Sequence, residues 1–346
     1  VLMRPTLIAV FDNIDRTITI ATPVRPTEGM NADSAYQMGA QRLNDALQAL
    51  QRNVPMAPSL SKEAVPTTEP TSNMAPEVYI AAVDQAKEYI LAGDAFQIVP
   101  AQRFSRPFPL PPFSLYRALR RLNPSPFLFF VNFDGFSVVG SSPEILVRVR
   151  DGKVTIRPLA GTRPRGATPK EDAALADDLL ADPKEIAEHL MLLDLGRNDV
   201  GRVAELGTVE VTEQFQIERY SHVMHIVSNV DGQLKQGCDP FDALMAGFPA
   251  GTVSGAPKVR AMEIIDEIEV SKRGIYAGCV GYFGADGSMD NCIALRTAVV
   301  KDGVMYVQAG AGVVADSDPQ KEHEETVNKA KALFRAADEA LSIASQ

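Results

Sequence analysis

Cysteine and histidine are scarce in this chain of 346 residues, which holds three cysteines (Cys238, Cys279 and Cys292) and four histidines. The cysteine number is odd, and no spacing between the two residue types suits a metal, which argues against a disulfide framework and a zinc or thiolate centre. That usage fits the reducing cytoplasm. No apolar run approaches the roughly 20 residues that a membrane span requires, and no basic region followed by an apolar stretch and cleavage site opens the sequence, so neither insertion nor export is indicated. A basic face is missing too. The net charge is −10, which speaks against nucleic acid as the main partner, because phosphate binding needs clustered cations. An anionic substrate must therefore find its countercharge locally. With 45% hydrophobic and 23% charged residues, the chain is long enough for one large domain or two small ones with a sizeable core.

Organisation follows from periodicity. Residues 1–24 read as two strands around Asp12-Asn13, and Leu43, Leu47 and Leu50 form a helical stripe between about Ala32 and Gln51. A loop rich in Pro, Ser and Thr is expected from Asn53 to Asn73, followed by a helix from Pro76 that Gly93 is placed to end. Beyond Phe96, short strands alternate with the turn signals Asp134-Gly135, Asp151-Gly152, Asp231-Gly232, Asp286-Gly287 and Asp302-Gly303. Helices are expected at about 113–122, 169–180, 183–195, 239–247, 257–269 and 318–342. The fold class is α+β, with antiparallel β-sheets covered by outer helices, divided into an N-terminal segment (1–75) and a main domain (76–346). No repeat of fixed period is visible.

Two distant stretches share one design, in which Asp-Pro opens a helix and two glutamates follow at a spacing of three. Asp182-Pro183 precedes Glu185 and Glu188, with Ile186, Leu190 and Leu193 on another face. Asp318-Pro319 precedes Glu322 and Glu325, ahead of an apolar stripe of Val327, Ala330, Phe334, Ala337 and Leu341. Four carboxylates on two helices suit one hard cation such as Mg²⁺, which takes one or two protein carboxylates and leaves other positions to water or an anionic substrate. Solvated surface glutamates are the plainer explanation of either pair alone.

Further segments could carry chemistry. In PLAGTRPRG (158–166), Gly161 permits close approach to a ligand, Thr162 offers a hydroxyl, and Arg163 and Arg165 supply cationic forks unless they pair with local carboxylates. In QAGAGVV (308–314), Gly310 and Gly312 free their amides for an anion, while Arg296 and Lys329 add positive charge. FPAGTVSGAPK (248–258) fails as a phosphate loop, since the glycine spacing is wrong, Pro257 precedes Lys258, and no Ser or Thr follows. His225 lies in a strand and shares a face with Val223 and Val227, whereas His222 goes with Met224 and Ile226; either is a core histidine or a general acid–base. Glu144, behind Ser-Pro at a strand end, is a general acid if held in low dielectric and a turn residue otherwise.

Together these segments resemble the chorismate-utilising enzymes, most closely the anthranilate synthase component I family. The motifs are GDAFQIVPAQRF (93–104), NPSPFLFF (123–130), GSSPE (140–144), PLAGTRPRG (158–166), KEIAEHLMLLDLGRND (184–199), YSHVMHIVS (220–228), PAGTVSGAPK (249–258), RGIYAGCVGY (273–282), ALRTA (294–298) and QAGAGVVADSDPQKEHEETVNKA (308–330), spread over the whole chain in order. The resemblance implies that Glu188 and Glu325 bind Mg²⁺ with Glu185 and Glu322 in support. It implies that Gly161, Thr162, Tyr276, Arg296, Gly310, Ala311 and Gly312 contact chorismate, with Lys329 beside them.

It also implies a choice of nucleophile. Relatives that add water at C2 carry a lysine base where this chain has Gln97, and relatives that aminate at C4 carry a nucleophilic lysine where it has Ala160. Ammonia attack at C2 is what remains, with Glu144 as acid for the C4 hydroxyl and His225 assigned to pyruvate elimination. Ammonia is expected from a glutamine amidotransferase subunit in a hetero-oligomer, because none of the cysteines sits in a nucleophile-elbow context. A Leu-Leu-Glu-Ser element that helps such enzymes bind tryptophan is missing, whereas the other half of that inhibitor site, Pro126, Phe127 and Leu128, is present. Weak or absent tryptophan inhibition is therefore expected. Two alternatives stand beside the enzyme: a non-catalytic fragment that binds only chorismate or the partner, and a related 2-amino-2-deoxyisochorismate synthase.

Overall fold

The computed structural model describes residues 1–25, 27–53, 68–220 and 223–345. His222 and most of the expected Pro/Ser/Thr-rich loop lie outside them. Two compact units are present, Val1–Ala57 and Pro58–Gln346. In the first, β1 (Ile8–Asp12) and β2 (Thr17–Ala21) form an antiparallel hairpin, followed by α1 (Ala32–Leu50). Asn31 caps α1 through the Ser34 amide, and Ala35 and Gly39 are its buried positions. Leu47 and Leu50 of the expected stripe are exposed.

The second unit runs β3 (Thr71–Ser72), α2 (Pro76–Leu91), β4 (Gln97–Ile98), β5 (Ala101–Pro107), α3 (Pro112–Leu122), β6 (Phe127–Phe133), β7 (Phe136–Ser142), β8 (Ile145–Arg150), β9 (Lys153–Ile156), β10 (Leu159–Pro164), α4 (Pro169–Ala181) and α5 (Pro183–Gly201). It continues with β11 (Glu210–Arg219), β12 (Val223–Gln233), α6 (Pro240–Gly247), α7 (Gly251–Ser254), β13 (Gly255–Ala256), α8 (Lys258–Ile268), β14 (Cys279–Phe283), β15 (Met289–Ile293), β16 (Thr297–Lys301), β17 (Val304–Gly310) and α9 (Pro319–Ala344). Among the described residues one sheet has the order β3-β5-β17-β16-β7-β6, and another has β10-β12-β9-β8-β15-β14 with β11 on the far side of β12. Every pairing in them is antiparallel, as the density of tight-turn signals requires.

Each sheet buries one face under helices. The stripe of α9 packs with Leu115 and Leu119 of α3 on Val139, Val300, Met305 and Val307 of the first sheet. Leu193 and Val200 of α5, with Ala243 and Leu244 of α6, pack on Val147, Val154, Val230 and Met289 of the second. Asp182 and Asp318 cap α5 and α9 as their sequence context predicts, accepting from the amides of Lys184 and Lys321.

Two expectations change, and one segment gains a definite form. Leu190 is 45% exposed, because α5 turns only the Leu193 side of its apolar surface inward. Asp231-Gly232 is not a turn; it lies inside β12, and Gly232 is small because a Cβ there would come within 2.6 Å of Val200 and 2.8 Å of Ala204. Residues 159–164, in the PLAGTRPRG segment, form a strand with a register shift between Ala160 and Thr162 around Gly161, whose φ is +74°.

Candidate active site

The chain crosses between the two sheets twice, once from β7 to β8 and once from β15 to β16. Glu144 sits in the first crossing and Arg296 in the second, with Arg296 held at φ 48°, a conformation a non-glycine residue keeps only where its surroundings enforce it. Glu144 is 7% exposed, and its Oε1 accepts from Thr252 Oγ1 at 3.0 Å. Burial pushes the Glu144 carboxyl up to about 8, against the Thr252 bond and the charges of Arg296 and Lys329. Burial pulls Arg296 downward in turn, opposed by Glu144. Arg296 makes no ion pair among the described residues, so a proton-bearing acid lies near an uncommitted cation. Thr252 lies in the PAGTVSGAPK motif, but neither that motif nor the phosphate-loop spacing points to this contact. Lys258 of that segment is spent on Asp199 at 2.8 Å.

β10 and β12 pair so that Thr162 lies opposite His225. His225 Nδ1 is 2.9 Å from the Gly161 carbonyl and 3.1 Å from Thr162 Oγ1. A carbonyl only accepts, so Nδ1 carries the proton and Nε2 keeps a lone pair. Burial, the largest influence, lowers the His225 pKa and keeps the ring neutral. Tyr220 meets it edge-on at 5.5 Å, its own hydroxyl donating to Glu218. On β12, His225 falls between Val223 and Val227 at the strand period of two, and its buried imidazole keeps Nε2 available to act as a base.

The Asp-Pro helices bring their carboxylates into one electrostatic group. Burial, then repulsion from Glu185 and Glu325, raises Glu188, and burial plus Glu325 raises Glu322. Gln97 Nε2 donates to Glu188 Oε1 at 3.0 Å, while Gln97 Oε1 is buried without a partner. A Cβ on Gly312 would lie 2.7 Å from Gln97 Nε2 and 3.7 Å from Glu188 Oε1, so the missing side chain leaves that carboxylate approachable. Among the described residues no three His, Cys, Asp or Glu side chains are grouped to hold a metal unaided. This donor set still fits Mg²⁺, which needs few protein ligands: an all-oxygen set, a mutually repelling carboxylate group and an orphaned amide oxygen beside it.

Several cations expected near a ligand are already engaged. Arg163 pairs with Asp178, Asp182 and Glu185, and Arg165 pairs with Asp172, so neither offers a free fork. Lys329 Nζ bonds Glu325 at 2.6 Å and the Gly310 carbonyl at 2.9 Å, which spends most of its charge. The Ala311 amide is not free either, since it donates to the Pro100 carbonyl at 3.2 Å. Gly310, at the end of β17, leaves space that Tyr276 uses: a Cβ there would stand 2.8 Å from the Tyr276 hydroxyl. Burial pushes that hydroxyl up to about 12, so Tyr276 remains a neutral hydrogen-bonding group. Phe127 and Leu128 begin the edge strand β6, opposite Ser142 and Ser141, and Pro126 is exposed just before it.

Glu144, Thr162, His225, Arg296, Tyr276 and the 310–312 turn thus come from both sheets, next to the carboxylates of α5 and α9. Comparison with known proteins gives the family. Residues 3–335 match the family described as chorismate binding enzyme. Anthranilate synthase component 1 from Cereibacter sphaeroides is 62% identical over 340 residues, covering 98% of this chain and 68% of that protein. The Pseudomonas aeruginosa protein of the same name is 55% identical, covering 97% and 68%. The crystal structure of anthranilate synthase component I from Streptococcus pneumoniae superposes with a TM-score of 0.84 at 42% identity, covering 94% of this chain and 72% of that one. The menaquinone-specific isochorismate synthase of Escherichia coli, a more distant relative at 26% identity, has a TM-score of 0.74 and covers 87% and 69%. Sequence and fold therefore coincide with those of these proteins, and the chain belongs to the chorismate binding enzyme family.

Proposed function

We propose that this chain is the chorismate-converting component of an anthranilate synthase, a lyase of tryptophan biosynthesis that aminates chorismate at C2 and releases pyruvate. The observation that carries this reading is the chemistry at two positions. Gln97 is an amide already bonded to Glu188, and Ala160 is buried on β10, so no lysine amine stands at either place to activate water or to attack the ring. Isochorismate formation is thereby disfavoured, and ammonia is left as nucleophile.

Glu144 bears its proton at neutral pH and donates it to the C4 hydroxyl as ammonia bonds to C2, so that water leaves and the amine sheds a proton to solvent. His225 Nε2 then removes the C2 hydrogen while the C3–oxygen bond breaks, and the enolpyruvate that leaves takes up a proton at its methylene carbon to become pyruvate. Arg296 supplies the cation for a substrate carboxylate, and Tyr276, Thr162 and the turn at Gly310 and Gly312 orient it. Glu188 and Glu325 would hold Mg²⁺, with Glu185 and Glu322 in support, and the bound ion would offset the charge of the ring carboxylate. Residues 76–346 contain all of these groups and form the catalytic domain in this reading. A glutamine amidotransferase supplies the ammonia in a hetero-oligomer, and the reaction is cytoplasmic; no helix among the described residues is long and apolar enough to cross a membrane.

The test is the blue fluorescence of anthranilate from chorismate, Mg²⁺ and an ammonium salt at alkaline pH. Chorismate bound but not consumed would establish the non-catalytic fragment instead. Chorismate consumed without fluorescence would mean that the aminated intermediate is the product.

A further inference from the structure

One buried ion pair outside the reacting groups touches three of the segments that carry or support them. Glu269, just past α8, and Arg273 have side chains only 5% and 15% exposed. Arg273 Nη2 bonds Glu269 Oε1 at 2.6 Å, and its Nε contacts both carboxylate oxygens at 3.1 Å. The remaining donors go to backbone, Nη1 to the Val253 carbonyl and Nη2 to the Val99 carbonyl. Glu269 Oε1 in turn accepts from the Ala101 amide at 2.8 Å, and the Arg273 guanidinium lies 5.4 Å from the Tyr276 ring centroid.

Each contact lies within a few residues of a site group. Val99 follows Gln97 by two residues, Ala101 pairs with Gly310 across β5 and β17, and Val253 follows Thr252, the partner of Glu144. A planar fork with fixed donor directions can hold such separated points at once, and a lysine ammonium at the end of a flexible stem cannot. We propose that Arg273, oriented by Glu269, is a positioning residue that sets the Gln97–Ala101 segment, the Thr252 turn and Tyr276 in register around the substrate. This rests on the substrate site assigned above.

Arg273→Lys is the informative variant, because it keeps a cation beside the buried Glu269 while losing the fork. Hydrogen exchange read on peptides covering 97–101 and 252–254 should speed up about tenfold or more in the variant, whether or not the protein turns over chorismate. In the ammonium assay, kcat should fall and KM for chorismate rise by about tenfold each, since small misplacements of site groups cost factors of ten to a hundred. Glu269→Gln, which leaves the fork in place but loosens its orientation, should give an intermediate split. A residue that only stabilises the fold would lower the melting temperature and leave KM and those peptides unchanged, and that result overturns the proposal. Wild-type protein that fails to bind chorismate would instead overturn the site assignment, with the exchange measurement still deciding the role of Arg273 in holding the segments.

Discussion

In the proposed reaction Glu144 can work as an acid because the fold makes its ionisation costly. An ordinary glutamate is fully charged at neutral pH and has no proton to give, whereas burial between the two sheets pushes this one up to about 8. The linkage has a definite sign. The folded protein keeps a proton that the unfolded chain has lost between pH 4.5 and about 8, so the contribution of Glu144 to stability is present below 4.5 and declines as pH rises through that window. Glu144→Gln should flatten this dependence in urea titrations at several pH values. The same substitution should reduce formation of the aminated intermediate by about 10²-fold or more, the usual scale for loss of general acid catalysis. In the parent, turnover corrected for the fraction of free ammonia should decline above about pH 8; a corrected profile that stays level would remove Glu144 as the acid. In the proposed reaction His225 acts in the second step, with Nε2 free and Nδ1 held by Gly161. His225→Met should therefore let the aminated, non-aromatic intermediate accumulate, seen by chromatography as chorismate disappears faster than anthranilate appears.

Strands and helices reach the site with their glycines serving different purposes. Gly161 adopts φ +74° at the bulge of β10, and a Cβ there would stand 3.1 Å from Glu185 Oε2, so Gly161 lets the strand bend against the first turn of α5. Gly232 has ordinary backbone but no room. Gly232→Ala should cost about 1–3 kcal/mol in urea unfolding through overpacking against Val200 and Ala204. Gly196 in α5 is the contrasting case, because its nearest neighbour would be Ile156 at 3.4 Å, an ordinary contact. Gly196→Ala should be neutral or stabilise by up to about 1 kcal/mol, through lower entropy of the unfolded chain and better helix propensity. The two measured together test how tightly α5 packs on β12. The turn signal read at Asp231-Gly232 misled for the same reason: an Asp-Gly pair marks a hairpin when Gly supplies positive φ, and here it supplies only a missing side chain.

For the molecule as a whole, the site depends on two sheets meeting, each with its own helical cover. Their antiparallel character, most helix limits, and the caps at Asp182 and Asp318 were legible because hydrophobic period, turn residues and capping chemistry are local signals. Supply of the nucleophile is a property at this scale. The purified chain should form anthranilate with ammonium and give no more than about a hundredth of that rate with glutamine, until a glutamine amidotransferase subunit is added. Full glutamine-dependent turnover by the isolated chain would contradict the expected partnership.

Motif order along the chain was enough to establish the family, the α+β class and the residue types available for chemistry, since those are carried by identity and spacing. Which groups are free to act depended on long-range packing. Arg163, Arg165 and Lys329 look like ligand cations in one dimension, yet each meets carboxylates in the fold; Arg163 and Arg165 reach Asp178 and Asp172 only once β10 and α4 are placed side by side. Thr252 and Arg273 lie in family motifs, but nothing in those motifs says which side chains they meet. Their importance arises from contacts spanning more than a hundred residues, such as Thr252 with Glu144 and Arg273 with Val99. A proton's affinity for Glu144 belongs to the same category, because it is set by how much water two sheets exclude and not by the residues flanking it in sequence.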